Sequence, residues 1–561
     1  MMPRSRGAAS PSGSPLKFPT RPRLRHDVLT LLASILLASA YNLTFWRSFA
    51  AASGGLTLSN LPLLAGCFLL IVFLFNAVLM LFSFRFVLKP LLAVLFVTTA
   101  LTAYFMSHYG VQIDKAMIQN VFETDVREAG ELLSVQMVLV LCLLGALPTL
   151  LVWRAEVSYP QGVRGLGSRA GVALGSLALA GLLVVVFFKA LAPTLREHRD
   201  LRFLLTPTNY IQAINSYVKQ RYARKVVIAP LGTDAIKGTP AGNGTRRSVT
   251  VIVVGETARA ANFSLNGYAR VTNPQLALQP ELLNFTHVSS CGTATAVSLP
   301  CVFSVLGREH YSDTQAYAQQ GLLDVLSHAG FEVLWRDNNS GCKGTCDRVT
   351  YEDLSVPEPG NQWCVADECY DERLLDRLPE IIRKADKDMV IVLHQKGSHG
   401  PAYYKRYPAA FKRFKPVCET NELGKCTREE IVAGYDNTIL YTDHFLNKTI
   451  ELLKASARSD AVDTAMLYFS DHGESLGEHN LYLHGAPYMI SPAEQREVPM
   501  MLWLSEGYRG HYQIDQRCMA ARTGQEFSHD NVFHSVLGML NVKTAIYNPR
   551  LDMIGACRHE G

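Results

Sequence analysis

Val249-Thr250-Val251-Ile252-Val253-Val254-Gly255-Glu256-Thr257 is an apolar, β-branched run that stops at polar residues able to hold a metal or a phosphate. Three further runs have the same form: Glu332 to Trp335 leads into Asp337-Asn338-Asn339-Ser340, Met389 to Leu393 into His394, and Ala465 to Phe469 into Ser470-Asp471-His472-Gly473. Continuous apolar strands of this kind are buried on both faces, which predicts a sheet covered by helices. Ligands of such sheets gather at the carboxyl ends of the strands. Polar residues from four separate strands are therefore expected to meet in one site.

Glu256, Asp471 and His472 are oxygen and imidazole donors of the type that bind Zn²⁺, and His394, His399, His479 and His484 lie nearby on glycine-bearing loops. A lone Asp-His-Gly is more often a turn or a helix start than a ligand. Four strand ends bearing such groups, with His479 and His484 following Ser470 to Glu474, point instead to a metal site. A nucleophile is sought in Cys291-Gly292-Thr293-Ala294-Thr295-Ala296-Val297-Ser298, just before an apolar stretch ended by Gly307. A helix beginning there aims its positive end at an anion, although ordinary capping by Thr and Ser explains the same residues. The physical pattern leaves Thr293, Thr295 and Ser298 open. A hydroxyl bound to zinc has a lowered pKa and becomes a competent nucleophile near neutral pH.

The chain has 561 residues, beyond the size at which one hydrophobic core usually divides, so at least two structural units are expected. Its hydrophobic share is 48%, its charged share only 18%, and its mean hydropathy +0.09, so part of it belongs in lipid. The net charge of +5 forms no basic stripe interleaved with aromatics, which argues against nucleic-acid binding. Of twelve cysteines, Cys67 and Cys142 lie inside apolar runs and the other ten follow Thr250. The close pairs Cys291 with Cys301, Cys342 with Cys346, Cys364 with Cys369 and Cys418 with Cys426 read as short disulfide loops in an oxidising compartment, in preference to a structural zinc site.

Residues 1–26 read as a disordered cytoplasmic tail. Five spans are predicted, at Val28 to Trp46, Leu61 to Phe82, Val87 to Met106, Val135 to Trp153 and Ala170 to Phe188, forming a membrane domain over residues 27–190. Lys and Arg concentrate before the first span, after the second and after the fourth, which places these segments in the cytoplasm and everything after Lys189 outside. The outward loop 107–133 carries Asn120, Thr124 and Glu128 at helical spacing, which puts them on one face. Residues 191–247 read as an amphipathic surface helix and linker, and the soluble domain as residues 248–561.

The stretches Val254 to Ala260, Asn262 to Tyr268, Ser290 to Ser298, Gly341-Cys342-Lys343-Gly344, Ser398-His399-Gly400-Pro401 and Ser470 to Glu478 resemble the phosphoethanolamine transferases that modify lipid A, relatives of the mobile polymyxin-resistance enzymes. The resemblance covers nearly the whole chain. It implies five transmembrane helices followed by a periplasmic α/β domain of the alkaline phosphatase and sulfatase type, anchored in the bacterial inner membrane. By that resemblance Glu256, Thr295, Asp471 and His472 would hold zinc, and Thr295 would carry a phosphoethanolamine intermediate drawn from phosphatidylethanolamine. His399 and His484 resemble histidines that hold the phosphate, stabilise the leaving group or bind a further zinc. Ser340 and Lys343 match positions lining the donor head-group pocket. Asn120, Thr124 and Glu128 match the family's outward loop, with Glu128 suited to the ammonium of ethanolamine. The acceptor implied is lipid A, with a core heptose or another envelope glycan as the alternative, and modification of lipid A implies resistance to polymyxin and other cationic peptides.

Two rivals are weaker. A sulfatase needs Cys or Ser followed by x-Pro-x-Arg, and Ser298-Leu299-Pro300-Cys301-Val302 lacks the Arg; a phosphodiesterase, with water as acceptor, remains compatible with the same residues. A non-catalytic membrane sensor has no need of a hydroxyl beside the metal cluster. The 1–26 tail matches nothing in the family pattern, and Cys518 and Cys557 are left without an assigned partner.

Overall fold

The computed structural model describes residues 22–558 except 124–129, 131, 222–226, 240–245, 366–367, 422 and 479–480. It divides into two compact units, Met1–Leu101 with Leu139–Arg199, and Thr102–Val138 with Asp200–Gly561. The described part of the outward loop therefore belongs with the second unit.

The first unit is built from α1 (His26–Ser39), α2 (Leu43–Ala52), α3 (Leu61–Leu81), most of α4 (Leu88–Tyr109), most of α6 (Val135–Arg154) and α7 (Gly162–Glu197). Among the described residues four helices are long and apolar enough to cross a membrane, and a fifth span is obtained if α1 and α2 are one broken span bent by 61°. The continuous first span expected over Val28 to Trp46 is thus interrupted. The cause is local: Asn42 Nδ2 donates to Leu37 O at 2.7 Å and Trp46 Nε1 to Ala38 O at 2.6 Å, so side chains take the carbonyls that a continuing helix would use. The α7 helix is also longer than its apolar stretch and absorbs residues 191–197, which had been expected in the linker. Within α6, Pro148 offers no N–H to Leu144 O, and Tyr41 Oη donates there instead. Residues 23–25, expected to be disordered, pair in parallel with Glu156–Ser158. Polar ties hold α7 on its neighbours: Asn76 Nδ2 donates to Ser176 Oγ at 3.0 Å, and Arg169 Nε to Ser83 O at 2.8 Å.

The second unit is built around a seven-stranded sheet. Its strands are β1 (Ser248–Gly255), β2 (Leu283–Phe285), β3 (Glu332–Asp337), β4 (Thr350–Asp353), β5 (Met389–His394), β6 (Asp463–Ser470) and β7 (Met500–Leu504), in the order β2-β7-β6-β1-β5-β3-β4. The five strands from β6 to β4 are mutually parallel, while β7 pairs antiparallel with β6 and β2. Side chains alternate across β1: Ile252 and Val254 join a core with Leu322 and Leu326 of α10 (Leu322–His328) and Val532 and Val536 of α12 (Asp530–Met539). Val249, Val251 and Val253 join the opposite core, with Ile439, Phe445 and Leu446 of α11 (Arg428–Ser459). All eight residues of β1 and of β6 are buried, as a sheet covered on both faces requires. The register sets Ser470 beside Gly255, and His394 beside both Val254 and Asp337, so four polar strand ends finish level.

The second unit also contains α5 (Lys115–Glu123) and α8 (Thr208–Arg221). Phe122 stacks on Tyr217 with ring centroids 5.1 Å apart, while Ile211 and Val218 of α8 stay exposed beside buried Tyr210 and Ala213. That division of faces agrees with an amphipathic helix.

The four expected disulfides form, and Cys518 and Cys557 form a fifth. Cys67 and Cys142 are free thiols. Because the fifth bridge spans a sequence separation of 39 in the catalytic unit, replacing Cys518 by serine removes roughly 2–4 kcal/mol of stability. The expected reading is a melting temperature several degrees lower for the detergent-solubilised variant, with no further effect of mild reductant that spares the other bridges.

Candidate metal centre

Glu256 and Thr257 follow β1, Asn339 follows β3, His399 lies on the loop after β5, and Asp471 and His472 follow β6. One ligand atom each from Glu256, Asp471 and His472 lies within 4.8 Å of the others, and all three side chains are buried. The eight-residue helix α9 (Thr295–Val302) begins beside them, with Thr295 half-buried at its first position. Thr295 Oγ1 lies 3.2 and 3.0 Å from Glu256 Oε1 and Oε2, and 3.2 Å from His472 Nε2. The neighbouring hydroxyls are engaged elsewhere: Thr293 Oγ1 donates to Ala486 O at 2.6 Å, and Ser298 Oγ to Asp471 O at 2.5 Å. Of the three hydroxyls left open by the sequence, Thr295 alone faces the cluster.

The donor set fits a cation. Two buried carboxylates share one pocket with an imidazole whose Nδ1 is 2.8 Å from Gly473 O, which leaves Nε2 facing Thr295. Asp471 Oδ2 is buried and accepts no hydrogen bond among the described residues. Burial and the adjacent Glu256 charge push the Asp471 carboxyl above the usual carboxylate range. Burial acts in the same direction on Glu256, but the neighbouring imidazoles of His472, His399 and His484 outweigh it and hold its carboxyl below the usual range. An ion would occupy the open Oδ2 lone pairs and offset the repulsion between the two carboxylates.

A histidine pair flanks this cluster. The His484 ring lies 4.4 Å from that of His472 and 5.5 Å from that of His399, centroid to centroid. Burial lowers the His484 pKa, yet Glu474, whose Oε2 lies 2.8 Å from Nδ1, raises it to about 9. His484 is thus poised as a cation with Nε2 free of that carboxylate. His394, which had been grouped with these histidines, sits deeper: it is fully buried, 3.1 Å from Asp337 Oδ2 through Nδ1, and its Nε2 is 3.3 Å from Asn339 Nδ2. Asn339 Nδ2 in turn donates to Glu256 Oε2 at 2.8 Å.

Ser340 and Lys343 occupy a turn in which Gly341, Lys343 and Gly344 all have positive φ and which the Cys342–Cys346 bridge ties. Lys343 Nζ lies 3.1 Å from Ser340 O and 3.2 Å from its Oγ. On the other side, a Cβ on Gly485 would come within 3.2 Å of Met117 Cε and 3.7 Å of Asn120 Nδ2, so α5 brings Asn120 against the residue that follows His484. Thr124, Glu128 and His479 lie outside the described residues. Thr257, Asn339 and Glu474 were not singled out from the sequence. The first two sit in the strand-end runs that marked the site, and Glu474 lies in the Asp471 to Glu474 stretch itself, but their contacts depend on which strands are neighbours.

The Sulfatase family profile matches residues 248–542, and the profile described as Phosphoethanolamine transferase EptA/EptB matches residues 71–222. Phosphoethanolamine transferase EptA of Escherichia coli (strain K12) is 41% identical over 542 residues, covering 95% of this chain and 98% of that protein. Phosphatidylethanolamine transferase Mcr-1 from Escherichia coli is 40% identical over 492 residues, covering 85% of this chain and 89% of the other. Among solved structures, the integral membrane protein lipooligosaccharide phosphoethanolamine transferase A from Neisseria meningitidis superposes with a TM-score of 0.91 at 36% identity, covering 96% of this chain and all of that one.

Proposed function

Since the chain belongs to the EptA/EptB phosphoethanolamine transferase family of the sulfatase and alkaline phosphatase superfamily, we propose that it transfers phosphoethanolamine from phosphatidylethanolamine to lipid A through a phosphorylated Thr295. It is a multi-pass inner-membrane enzyme with its catalytic domain in the periplasm, as its apolar helices and its likeness to an integral membrane relative support. The observation that carries the mechanism is the Thr295 hydroxyl held within 3.2 Å of both Glu256 and His472 at the carboxyl edge of the sheet.

Glu256, Asp471, His472 and Thr295 would hold a zinc ion, whose chemistry is to lower the pKa of the threonine hydroxyl and to neutralise charge on the phosphoryl oxygens. In the first half-reaction the Thr295 hydroxyl releases its proton to water, Oγ1 attacks phosphorus, an O–P bond forms and the bond to diacylglycerol breaks. His484, held by Glu474, supplies the proton that the departing diacylglycerol alkoxide needs, and with His399 it lines the phosphate position. In the second half-reaction an acceptor phosphate oxygen attacks the same phosphorus, the P–Oγ1 bond breaks, and the threonine oxygen takes up a proton from water to regenerate the hydroxyl. Ser340 and Lys343 face the donor head group. The family resemblance assigns Asn120, Thr124 and Glu128 to the ethanolamine end, and a carboxylate such as that of Glu128 suits the ammonium.

Mass spectrometry of lipid A from a Gram-negative host lacking its own transferases tests this reading. Expression of the chain is expected to add a phosphoethanolamine increment and to raise polymyxin resistance, since added ammonium groups weaken attraction of cationic peptides. Increments confined to core sugars would contradict lipid A as acceptor, and release of free phosphoethanolamine alone would make the enzyme a phosphodiesterase.

A further inference from the structure

Thr257 touches both carboxylates of the centre. Its backbone amide donates to Asp471 Oδ1 at 3.1 Å, and its hydroxyl donates to Glu256 Oε1. To reach both, the residue takes φ +59°, in the left-handed region that β-branched side chains rarely adopt. Glycine is the default residue for such a backbone, and what glycine cannot supply is the hydroxyl. The conformation is held from outside: Tyr435 Oη donates to Thr257 O at 2.8 Å, and both residues are fully buried. Backbone outliers that the surroundings over-determine in this way cluster at functional sites.

Besides Thr295 Oγ1, which reaches both Glu256 oxygens, Oε1 is held by Thr257 Oγ1 and Oε2 by Asn339 Nδ2 at 2.8 Å. Asp471 Oδ1 is held by the amides of Thr257 at 3.1 Å and of His472 at 2.7 Å. Only Asp471 Oδ2 lacks a donor among the described residues. One residue thus fixes an oxygen on each carboxylate and so sets their separation and the directions of their remaining lone pairs. A free threonine rotor or a relaxed backbone would lose one of the two grips.

We propose that Thr257 is a positioning residue for the metal centre, a strained clamp that holds Glu256 and Asp471 at the spacing a divalent cation requires. The inference rests on the reading of those carboxylates as metal ligands. Groups that orient a metal's ligands typically alter its affinity 10–100-fold when removed.

The test uses full-length chain in detergent, stripped of metal, with Zn²⁺ titrated against a competing chelator and the apo melting temperature measured in parallel. Thr257→Val keeps the shape and removes the hydroxyl, and is expected to bind Zn²⁺ about 10–100-fold more weakly, with an apo melting temperature lowered by no more than the loss of one buried hydrogen bond accounts for. Thr257→Ser restores the donor and is expected to stay within about threefold of wild type. Thr257→Ala gives the same reading as valine if the valine chain does not fold. Equal affinity in wild type and Thr257→Val overturns the clamp, as does a lowered apo melting temperature with unchanged affinity, which marks a purely structural residue. A wild-type chain that takes up no Zn²⁺ overturns the metal reading, and the clamp with it.

Discussion

Replacing Thr295 by alanine is expected to lower the transfer rate at least about 10³-fold, because loss of the attacking group leaves only binding and electrostatic stabilisation to act on the donor. The fold should be unaffected. Thr295 is half-buried at the first position of α9, where alanine is tolerated, and its hydroxyl contacts are to the site rather than to the helix. Thr295→Ser, which keeps the hydroxyl, should retain part of the activity. The contrast with its neighbours is informative. Thr293 and Ser298 spend their hydroxyls on the carbonyls of Ala486 and Asp471, so Thr293→Ala and Ser298→Ala should act through stability, by about 1 kcal/mol each. Transfer assays on purified variants reconstituted with phosphatidylethanolamine, alongside melting temperatures, separate the two behaviours. Alanine at 295 with wild-type rate would remove the threonine from the reaction.

Asp471→Asn is expected to weaken Zn²⁺ binding at least about 100-fold and to abolish transfer at ordinary metal concentrations, while leaving the metal-free protein no less stable than wild type. The reasoning is electrostatic. Asp471 is fully buried beside Glu256, burial and that neighbour both disfavour its charge, and Oδ2 accepts no hydrogen bond among the described residues. Without a cation the carboxylate is a cost to the fold, and asparagine keeps an oxygen for the amides of Thr257 and His472. Chelation of the wild type should likewise stop transfer, and Zn²⁺ should restore it. Melting temperatures of the apo proteins together with bound-metal analysis give the reading. An asparagine variant that still binds Zn²⁺ normally would take Asp471 out of the ligand set.

The strand ends were readable because burial on both faces forces unbroken β-branched runs, and because the register of a parallel sheet brings their carboxyl ends level, as Gly255, Asp337, His394 and Ser470 are. Glu256, Asp471 and His472 stood out for the same reason. The choice among Thr293, Thr295 and Ser298 is not readable from spacing, since all three lie close to the start of the same helix and only tertiary contacts distinguish them. Thr257 was quoted within its motif but not as a functional group. Its role depends on a positive φ and on β6 lying beside β1, neither of which leaves a local mark. The break at Asn42 was missed because one polar residue inside an apolar run does not announce that its side chain will cap the preceding helix. Cys518 and Cys557 escaped pairing because a separation of 39 lies beyond the close spacings that revealed the other four bridges.

The most direct measurement is mass spectrometry of the peptide containing Thr295 after the purified full-length enzyme has been incubated with phosphatidylethanolamine in the absence of acceptor. A phosphoethanolamine adduct on Thr295 that disappears when lipid A is added is the expected result. An adduct on another residue, or turnover with Thr295 never modified, would contradict it.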